Sequence, residues 1–433
     1  MVISRHITGK FRTYRYIVEG ILLTIYLTIP WLSWNGTPLM RLDIPARKFH
    51  FLGNIFIPQE GYFLHLFLII AGLSLFFFTT LIGRVWCGWA CPQTVFTDLF
   101  DFIGRLIQKE KYGKPSASKF STVLVHIVWI VVANLSSFSI VAYFNDPKEM
   151  TLNALMFKAD GLYPYFIFFF TGLLYVDMAF VREQFCKYAC PYARFQTVLM
   201  DDHSYNVTYD FKRGEPRRNK KEKIGDCTAC NMCLVVCPTG IDIREGLNIG
   251  CIACTKCIDA CTIQMAKENK KSLINYDSLD RVSKNEKIKW IRPRSILYGT
   301  LLLIAGTVAI TLLIKRVPLY VSIQPERGIE PVLIDNNTTR NFYTMHFKNL
   351  TYLPKNIKFK MSDDSGVHKF LTDDSSKICF EPDSATTTRV YIDSKFENSE
   401  KPTIFAKLLV EDLDTGKILT VNKIPIRRSQ NAR

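Results

Sequence analysis

Uninterrupted apolar stretches, each about as long as a bilayer is thick, dominate the first 314 positions. Five of them predict helices that cross a membrane: 16–34, apolar apart from Glu19 and bent near its far end by Pro30, then 62–82, 122–144, 162–181 and 295–314. A helix rises about 1.5 Å per residue, so roughly 20 apolar residues span the hydrocarbon layer. After the second stretch the pattern changes. Phe96, Leu99, Phe100, Ile103, Leu106 and Ile107 recur at helical spacing with Asp98, Asp101 and Arg105 between them, which predicts an amphipathic helix lying on the membrane surface. Residues 35–61 and 145–161 read as loops, and 182–293 is hydrophilic. From 317 onward short alternating runs appear: FYTMHF (342–347), NIKFKM (356–361), RVYID (389–393), TIFAKLLVE (403–411) and KILTVNKIPI (417–426). Turn signals DDSG (363–366) and DTGK (414–417) separate some of them, and together they predict a β-sandwich. No signal peptide with a small-residue cleavage site precedes the first apolar block, so that block is read as a retained anchor.

The chain has 433 residues and a formal net charge of +16. A basic chain can bind nucleic acid, but here the Lys and Arg residues flank the apolar blocks, which is how topology is encoded. The N-terminal tail, the 83–121 loop and the 182–294 segment are rich in them, whereas 145–161 has only Lys148 and Lys158; the loop 35–61, with Arg41, Arg47 and Lys48, is a mild exception. The positive-inside rule therefore puts the N-terminus and both cysteine-bearing segments in the cytoplasm of a multi-pass bacterial inner-membrane protein, with the C-terminal domain in the periplasm. No nucleic-acid partner is expected.

Twelve of the 13 cysteines fall in four tight motifs. Two are copies of C-x2-C-x2-C-x3-C: Cys227, Cys230, Cys233 and Cys237, followed by Pro238, then Cys251, Cys254, Cys257 and Cys261. In bacterial ferredoxins with this run, the fourth cysteine of each copy ligates the other copy's cluster. Cys227, Cys230, Cys233 and Cys261 are thus expected to hold one 4Fe-4S cluster, and Cys251, Cys254, Cys257 and Cys237 the second. Structural zinc also uses C-x2-C pairs, but it needs neither the third cysteine nor the doubled copy.

The other two motifs are Cys87-Gly-Trp-Ala-Cys91-Pro92 and Cys186-Lys-Tyr-Ala-Cys190-Pro191, each with an arginine just upstream (Arg84, Arg182) and each closing a hairpin of two apolar stretches. The hairpins read as an internal repeat whose motifs meet at the cytoplasmic surface. On a helix, cysteines at i and i+4 share a face. Two such pairs supply four soft thiolates, suited to Cu(I), zinc or an iron–sulfur centre; spacing does not choose between them, nor between a metal site and redox thiols. His65 and His126 sit at opposite ends of their spans, which argues against one bis-histidine haem. Glu19 and Asp177, at inner helix ends, are either functional intramembrane carboxylates or side chains reaching the interface. Cys379 stands alone and reads as a core residue.

The combination resembles the CcoG (FixG, RdxA) family of accessory proteins of cbb3-type cytochrome c oxidase, as do RLDIPARKFHFLG (41–53) and CPTGIDIREGL (237–247). Thr262, where a proline often follows the eighth cysteine, is a departure that bears on the turn and leaves ligation untouched. The resemblance implies an α-helical integral membrane protein of five transmembrane helices, with an inserted two-cluster ferredoxin domain and a C-terminal immunoglobulin-like β-sandwich. The expected domains are 1–181 (membrane), 182–293 (ferredoxin), 294–316 (fifth span) and 317–433 (periplasmic). It further implies reduction of Cu(II) to Cu(I), a cupric reductase activity, with Cys87, Cys91, Cys186 and Cys190 as the copper contacts. The implied partners are the oxidase or its copper-delivery factors, the lipid bilayer and an electron donor; a homodimer is compatible with all of this. Two rival readings stand beside it: a quinol dehydrogenase resembling NapH-type membrane ferredoxins, and a non-enzymatic assembly scaffold.

Overall fold

The computed structural model describes residues 4–428 apart from 35–36, 157, 159–160, 219–224, 247, 286, 288, 318, 336–337, 363–367, 373–376, 382, 396–402, 414–415 and 417. The chain divides into two compact units, one made of the residues up to Trp31 together with Tyr62–Ile310, the other of Leu32–Gly61 with the residues from Thr311 onward.

Among the described residues, four helices are long and apolar enough to cross a membrane: Pro58–Ile82, Lys119–Ala142, Tyr163–Val181 and Pro293–Ile314. They coincide within a few residues with four of the five expected spans, and apolar side chains such as Phe67, Phe168 and Leu303 on them are exposed, a surface suited to lipid. The first expected span differs. Its helix, α1 (Lys10–Thr28), starts six residues early and ends before Trp34, and Ser33–Trp34 instead pairs with Thr37–Pro38. Arg12, Arg15 and Glu19 on α1 are buried. All three belong to an ion-pair cluster inside the protein.

The first unit continues with α2 (Tyr62–Ile82), α3 (Val85–Trp89) and α4 (Pro92–Gln108). α4 is the expected amphipathic helix, but its polar side faces protein instead of water. Its polar stripe, Asp98 and Asp101, is completely enclosed, while Phe102 and Leu106 are exposed. The reason is that arginines from elsewhere reach that stripe: Arg12 and Arg15 bind Asp98, and Arg182 binds Asp101 at 2.5 Å. The opposite side packs on α5 (Lys119–Ala142), where the buried Trp129 donates its indole N–H to the Phe100 carbonyl (3.0 Å). His126 on α5 makes a 3.1 Å hydrogen bond with the Tyr175 hydroxyl and sits edge-on to Trp129.

The hydrophilic segment folds around a two-stranded antiparallel ladder, Asn206–Tyr209 with Ile274–Asp277, and the helix Lys256–Ala266. Its core combines Val207, Ile241, Ile258, Met265 and Ile274 with the cysteine sulfurs.

In the second unit, two antiparallel sheets form a sandwich. One joins Leu319–Pro325, Val332–Asp335, Thr338–Asn349, His368–Thr372 and Ala385–Lys395; the other joins Lys355–Ser362, Lys377–Phe380, Thr403–Asp412 and Ile418–Arg427. Alternate residues of facing strands (Tyr343, Met345, Phe347, Ile357, Leu408, Val410, Ile424) fill the core. All five expected strands are present. The DDSG signal, most of DTGK and the side chain of Cys379 lie outside the described residues; the Cys379 backbone pairs with Asn356. The expected loop 35–61 is more ordered than its composition implied. Met40–Asp43, Lys48–Phe51 and Asn54–Phe56 make a small sheet that packs Ile55 and Ile57 on Leu350, pairs Lys48 with Asp383 (2.5 Å), and bonds His50 to the Tyr352 hydroxyl. Arg316 clamps it through Glu60 (2.7 Å).

Candidate redox site

The two C-x2-C-x2-C-x3-C motifs repeat in backbone conformation as well as in sequence. In the first, Ala229 and Asn231, flanking Cys230, have φ of 52° and 56°; in the second, Ala253 and Thr255, flanking Cys254, have φ of 53° and 62°. Left-handed conformations are uncommon for residues with a side chain, and for a β-branched threonine they are strained. The same pair at the same place in both copies folds each motif into a tight turn that aims successive sulfurs inward.

The result is two cavities. Cys227, Cys230, Cys233 and Cys261 line one, with Met232, Met265 and Leu273 around them. Cys237, Cys251, Cys254 and Cys257 line the second, and Cys233 borders both. Each cavity therefore takes three thiols from one motif and the fourth from the other. Burial pushes Cys251 up to about 12 and Cys233 up to about 11, so these thiols become thiolates when a metal centre replaces the proton. Among the described residues no three such side chains converge tightly enough to hold a single ion.

The C-x3-C-P motifs end their helices in matched fashion. Cys91 N–H donates to the Trp86 carbonyl and Cys190 N–H to the Phe185 carbonyl, both at 2.9 Å. Both cysteines have extended backbone (ψ 130° and 113°), as a residue before proline prefers, and each caps a new helix, α4 and Pro191–Leu199. The expectation that each pair shares one continuous helix face is thus corrected: proline breaks the helix between its cysteines. The copies also differ, since Val85–Trp89 is α-helical and Phe185–Ala189 is a π-helical turn.

The motifs meet. Cys87 packs with Cys254 and Ile252, and Cys186 and Tyr192 lie against them. Burial, followed by the proximity of Cys91, Cys87 and Cys190, pushes Cys186 up to about 12; burial and Cys91 do the same to Cys87. Gln196, fully buried and not singled out by any sequence pattern, accepts from the Cys87 thiol at 3.1 Å and donates to Thr79 (3.5 Å). Asp177 accepts from Gln93 (3.1 Å), and Glu19 pairs with Arg15 (3.0 Å), so both have protein partners.

Both motifs also grip the second cavity. Arg84, 1% exposed, donates to the carbonyls of Ile249 and Cys251 and to Thr197 (2.5 Å). Gly88 lies so close to the Ile252–Ala253 backbone that a Cβ there would stand 2.5 Å from one carbonyl oxygen and 2.6 Å from the other. The Trp89 indole donates to Tyr276, whose hydroxyl donates to Ala253 (3.2 and 3.1 Å). From the other motif, Lys187 reaches the Thr239 carbonyl at 3.3 Å. Arg182, the repeat counterpart of Arg84, turns away to Asp101.

Paired four-thiol cavities pressed against two further cysteine pairs define an iron–sulfur electron-transfer protein. Residues 181–279 match the model of a 4Fe-4S dicluster domain, 64–110 that of a 4Fe-4S binding domain, and 309–423 that of an IG-like fold at the C-terminus of FixG. The chain is 34% identical to Protein RdxA of Cereibacter sphaeroides, covering 84% of this chain and 83% of RdxA. It is 28% identical to Nitrogen fixation protein FixG of Rhizobium meliloti, covering 90% and 86%. With Ferredoxin-type protein NapH of Haemophilus influenzae it shares 25% identity, over 60% of this chain and 89% of NapH. The chain belongs to the FixG/RdxA family.

Proposed function

We propose that this protein reduces Cu(II) to Cu(I) for assembly of a cbb3-type cytochrome c oxidase, with Cys87, Cys91, Cys186 and Cys190 as the copper contacts. The observation that carries the reading is the meeting of the two C-x3-C-P motifs directly on the Cys251–Cys254 turn. Cys227, Cys230, Cys233 and Cys261 would hold one 4Fe-4S cluster, and Cys237, Cys251, Cys254 and Cys257 the other; when bound, these groups supply electrons one at a time. The protein's own residues set the rest. Gly88 and the Trp89–Tyr276–Ala253 hydrogen bonds hold the copper-side cysteines against the turn, and the Arg84 guanidinium adds a buried positive charge beside thiolates. Cu(II) gains one electron and no atom moves. Soft thiolates then favour the Cu(I) product over the Cu(II) substrate.

In this reading α1 joins the four apolar helices as a fifth span, the cysteine-bearing segments face the cytoplasm, and residues 317–433 face the periplasm of a bacterial inner membrane, where the oxidase or its copper-delivery factors are met. The test is the double variant Cys87→Ser/Cys91→Ser in the anaerobically purified chain. Copper reduction is expected to disappear while the EPR signals of both clusters persist; reduction that continues in this variant overturns the copper assignment.

One finding favours a second reading of the same thiols. The 4Fe-4S binding model covers Cys87 and Cys91, which points to a third cluster. Iron analysis separates the two: about eight irons per chain leave the site for copper, and about twelve fill it. Rapid cluster reduction by quinol would instead support a quinol dehydrogenase, the reading that the likeness to NapH suggests.

A further inference from the structure

The two cysteine cavities differ in what surrounds them. The backbone around Cys251 and Cys254 is contacted by Arg84, Gly88 and Trp89 (through Tyr276), with Lys187 on Thr239, and both cysteines are buried. In the other cavity Cys230 is exposed, alone among the cysteines whose side chains are described. On the two adjoining helices that carry Cys233 and Cys261, Met232–Val235 and Lys256–Ala266, the apolar side chains of Leu234, Val235 and Ile263 are exposed by 36%, 48% and 42%. Exposed apolar groups on adjoining helices suit an interaction surface.

Cations gather on this face. Arg5 touches Met232, Arg244 donates to Asn231 (2.9 Å) and Lys267 donates to Gln264 (3.2 Å), so a cation stands on three sides of the cavity lining. The carboxylates nearby are already held: Asp242 by Arg244 at 2.6 Å, Glu268 by Arg218 at 2.6 Å and by Lys270, and Glu215 by Arg217 at 2.8 Å. An apolar centre with a basic rim fits a partner with an apolar centre and an acidic rim, because opposite potentials steer encounter and fix orientation.

We infer that the face around Cys230, Leu234, Val235 and Ile263 is the docking surface for an acidic one-electron carrier protein, the electron donor of this chain. Electrons enter at the Cys227/Cys230/Cys233/Cys261 site and leave from the Cys237/Cys251/Cys254/Cys257 site, with Cys233, which borders both cavities, between them. Each transfer moves one electron and no atom; the carrier is oxidised by one electron as the site behind Cys230 is reduced by one. This assignment rests on the electron-transfer reading above and supplies its donor side.

The experiment is stopped-flow bleaching of the full-length, cluster-loaded chain in detergent by reduced flavodoxin, an acidic one-electron carrier. The rate is expected to fall as salt is raised and to drop at least about tenfold in Val235→Glu/Ile263→Glu. Iron content and bleaching by dithionite, which needs no docking face, should match the wild type in that variant and so show that it is folded. A variant reduced by flavodoxin as fast as the wild type, or a wild-type rate that rises with salt, overturns the proposal. Copper is absent from this assay, so failure of the cupric-reductase reading would leave the result standing, and the converse also holds.

Discussion

Replacing Asp98 with asparagine is expected to release α1 and the ferredoxin segment from the helical bundle, at a cost of about 3–5 kcal/mol. Asp98 is 2% exposed and binds three cations from two distant stretches: Arg12 at 2.6 Å, Arg15, and Lys256 at 3.4 Å. Arg15 also donates to the Cys254 carbonyl (2.8 Å), so the cluster of charges reaches the second cysteine turn directly. Asp259, on the same helix as Lys256, accepts from the backbone N–H groups of Phe11 and Arg12 (3.3 and 2.9 Å) and so caps the first turn of α1. An amide keeps the shape of the carboxylate but leaves three buried cations with too little negative charge, which is why breaking such a cluster costs more than forming it gains. Burial alone would raise the Asp98 carboxyl, yet Lys256, Arg15 and Arg12 hold it well below the usual carboxylate range. A depressed value means that the Asp98 contribution is present above the ordinary carboxylate range and is lost only as pH falls through the lowered one. Hydrogen exchange checks the role of the cluster: Asp98→Asn should deprotect the backbone of Lys10–Thr28 and Lys256–Ala266 together. Protection equal to wild type in the variant would mean that the cluster does not hold these elements.

What could be read from the chain alone follows from the range over which each signal acts. Helices α2, α5 and Pro293–Ile314 are legible because an apolar run of that length says the same thing at every position. In α1 the helix is legible but the role of Arg12 and Arg15 is not, because their partner Asp98 lies more than 80 residues away. The same distance hides the role of α4, whose Asp98 and Asp101 give it the stripe of a surface helix. The small sheet of residues 40–56 is missed because its strands run three or four residues and its packing partners, Leu350, Tyr352 and Asp383, lie some 300 positions on. Cysteine spacing, by contrast, predicts the grouping of thiols around two cavities, since the crossover of the fourth ligand is a property of the motif. It gives no sign of Gln196, a lone glutamine whose contact with Cys87 exists only once Pro191–Leu199 has packed beneath the first motif. Nor does it reveal the left-handed pairs at Ala229/Asn231 and Ala253/Thr255, which no glycine advertises.

Gly88 is where the two halves of the proposed pathway touch, and any side chain there should separate them. Within Cys87-Gly-Trp-Ala-Cys91 the glycine backbone faces the Ile252 and Ala253 carbonyl oxygens, close enough that a Cβ would fall at 2.6 and 2.5 Å from them. Those atoms cannot yield cheaply. Ala253 is held in a left-handed conformation, its carbonyl accepts from Tyr276, and the carbonyl of neighbouring Cys251 is fixed by Arg84. The counterpart of Gly88 in the second motif is Lys187, which reaches Thr239 with a long side chain, so only the first motif makes its contact through bare backbone. In Gly88→Val the motif must lift away from the Cys251–Cys254 turn while the eight ferredoxin cysteines keep their places. The expected result is a fall of about 10²-fold in the rate at which Cu(II) reoxidises the reduced chain, the penalty typical of misplacing reacting groups by about an ångström. Iron content, the EPR signals of both clusters and their bleaching by dithionite should stay at wild-type levels. Gly88→Ala, with the same first atom and less bulk behind it, should show a smaller loss in the same direction. Reoxidation at the wild-type rate in the valine variant would mean that electrons reach copper by another route, and the first C-x3-C-P motif would then have to be a structural clamp on the ferredoxin domain.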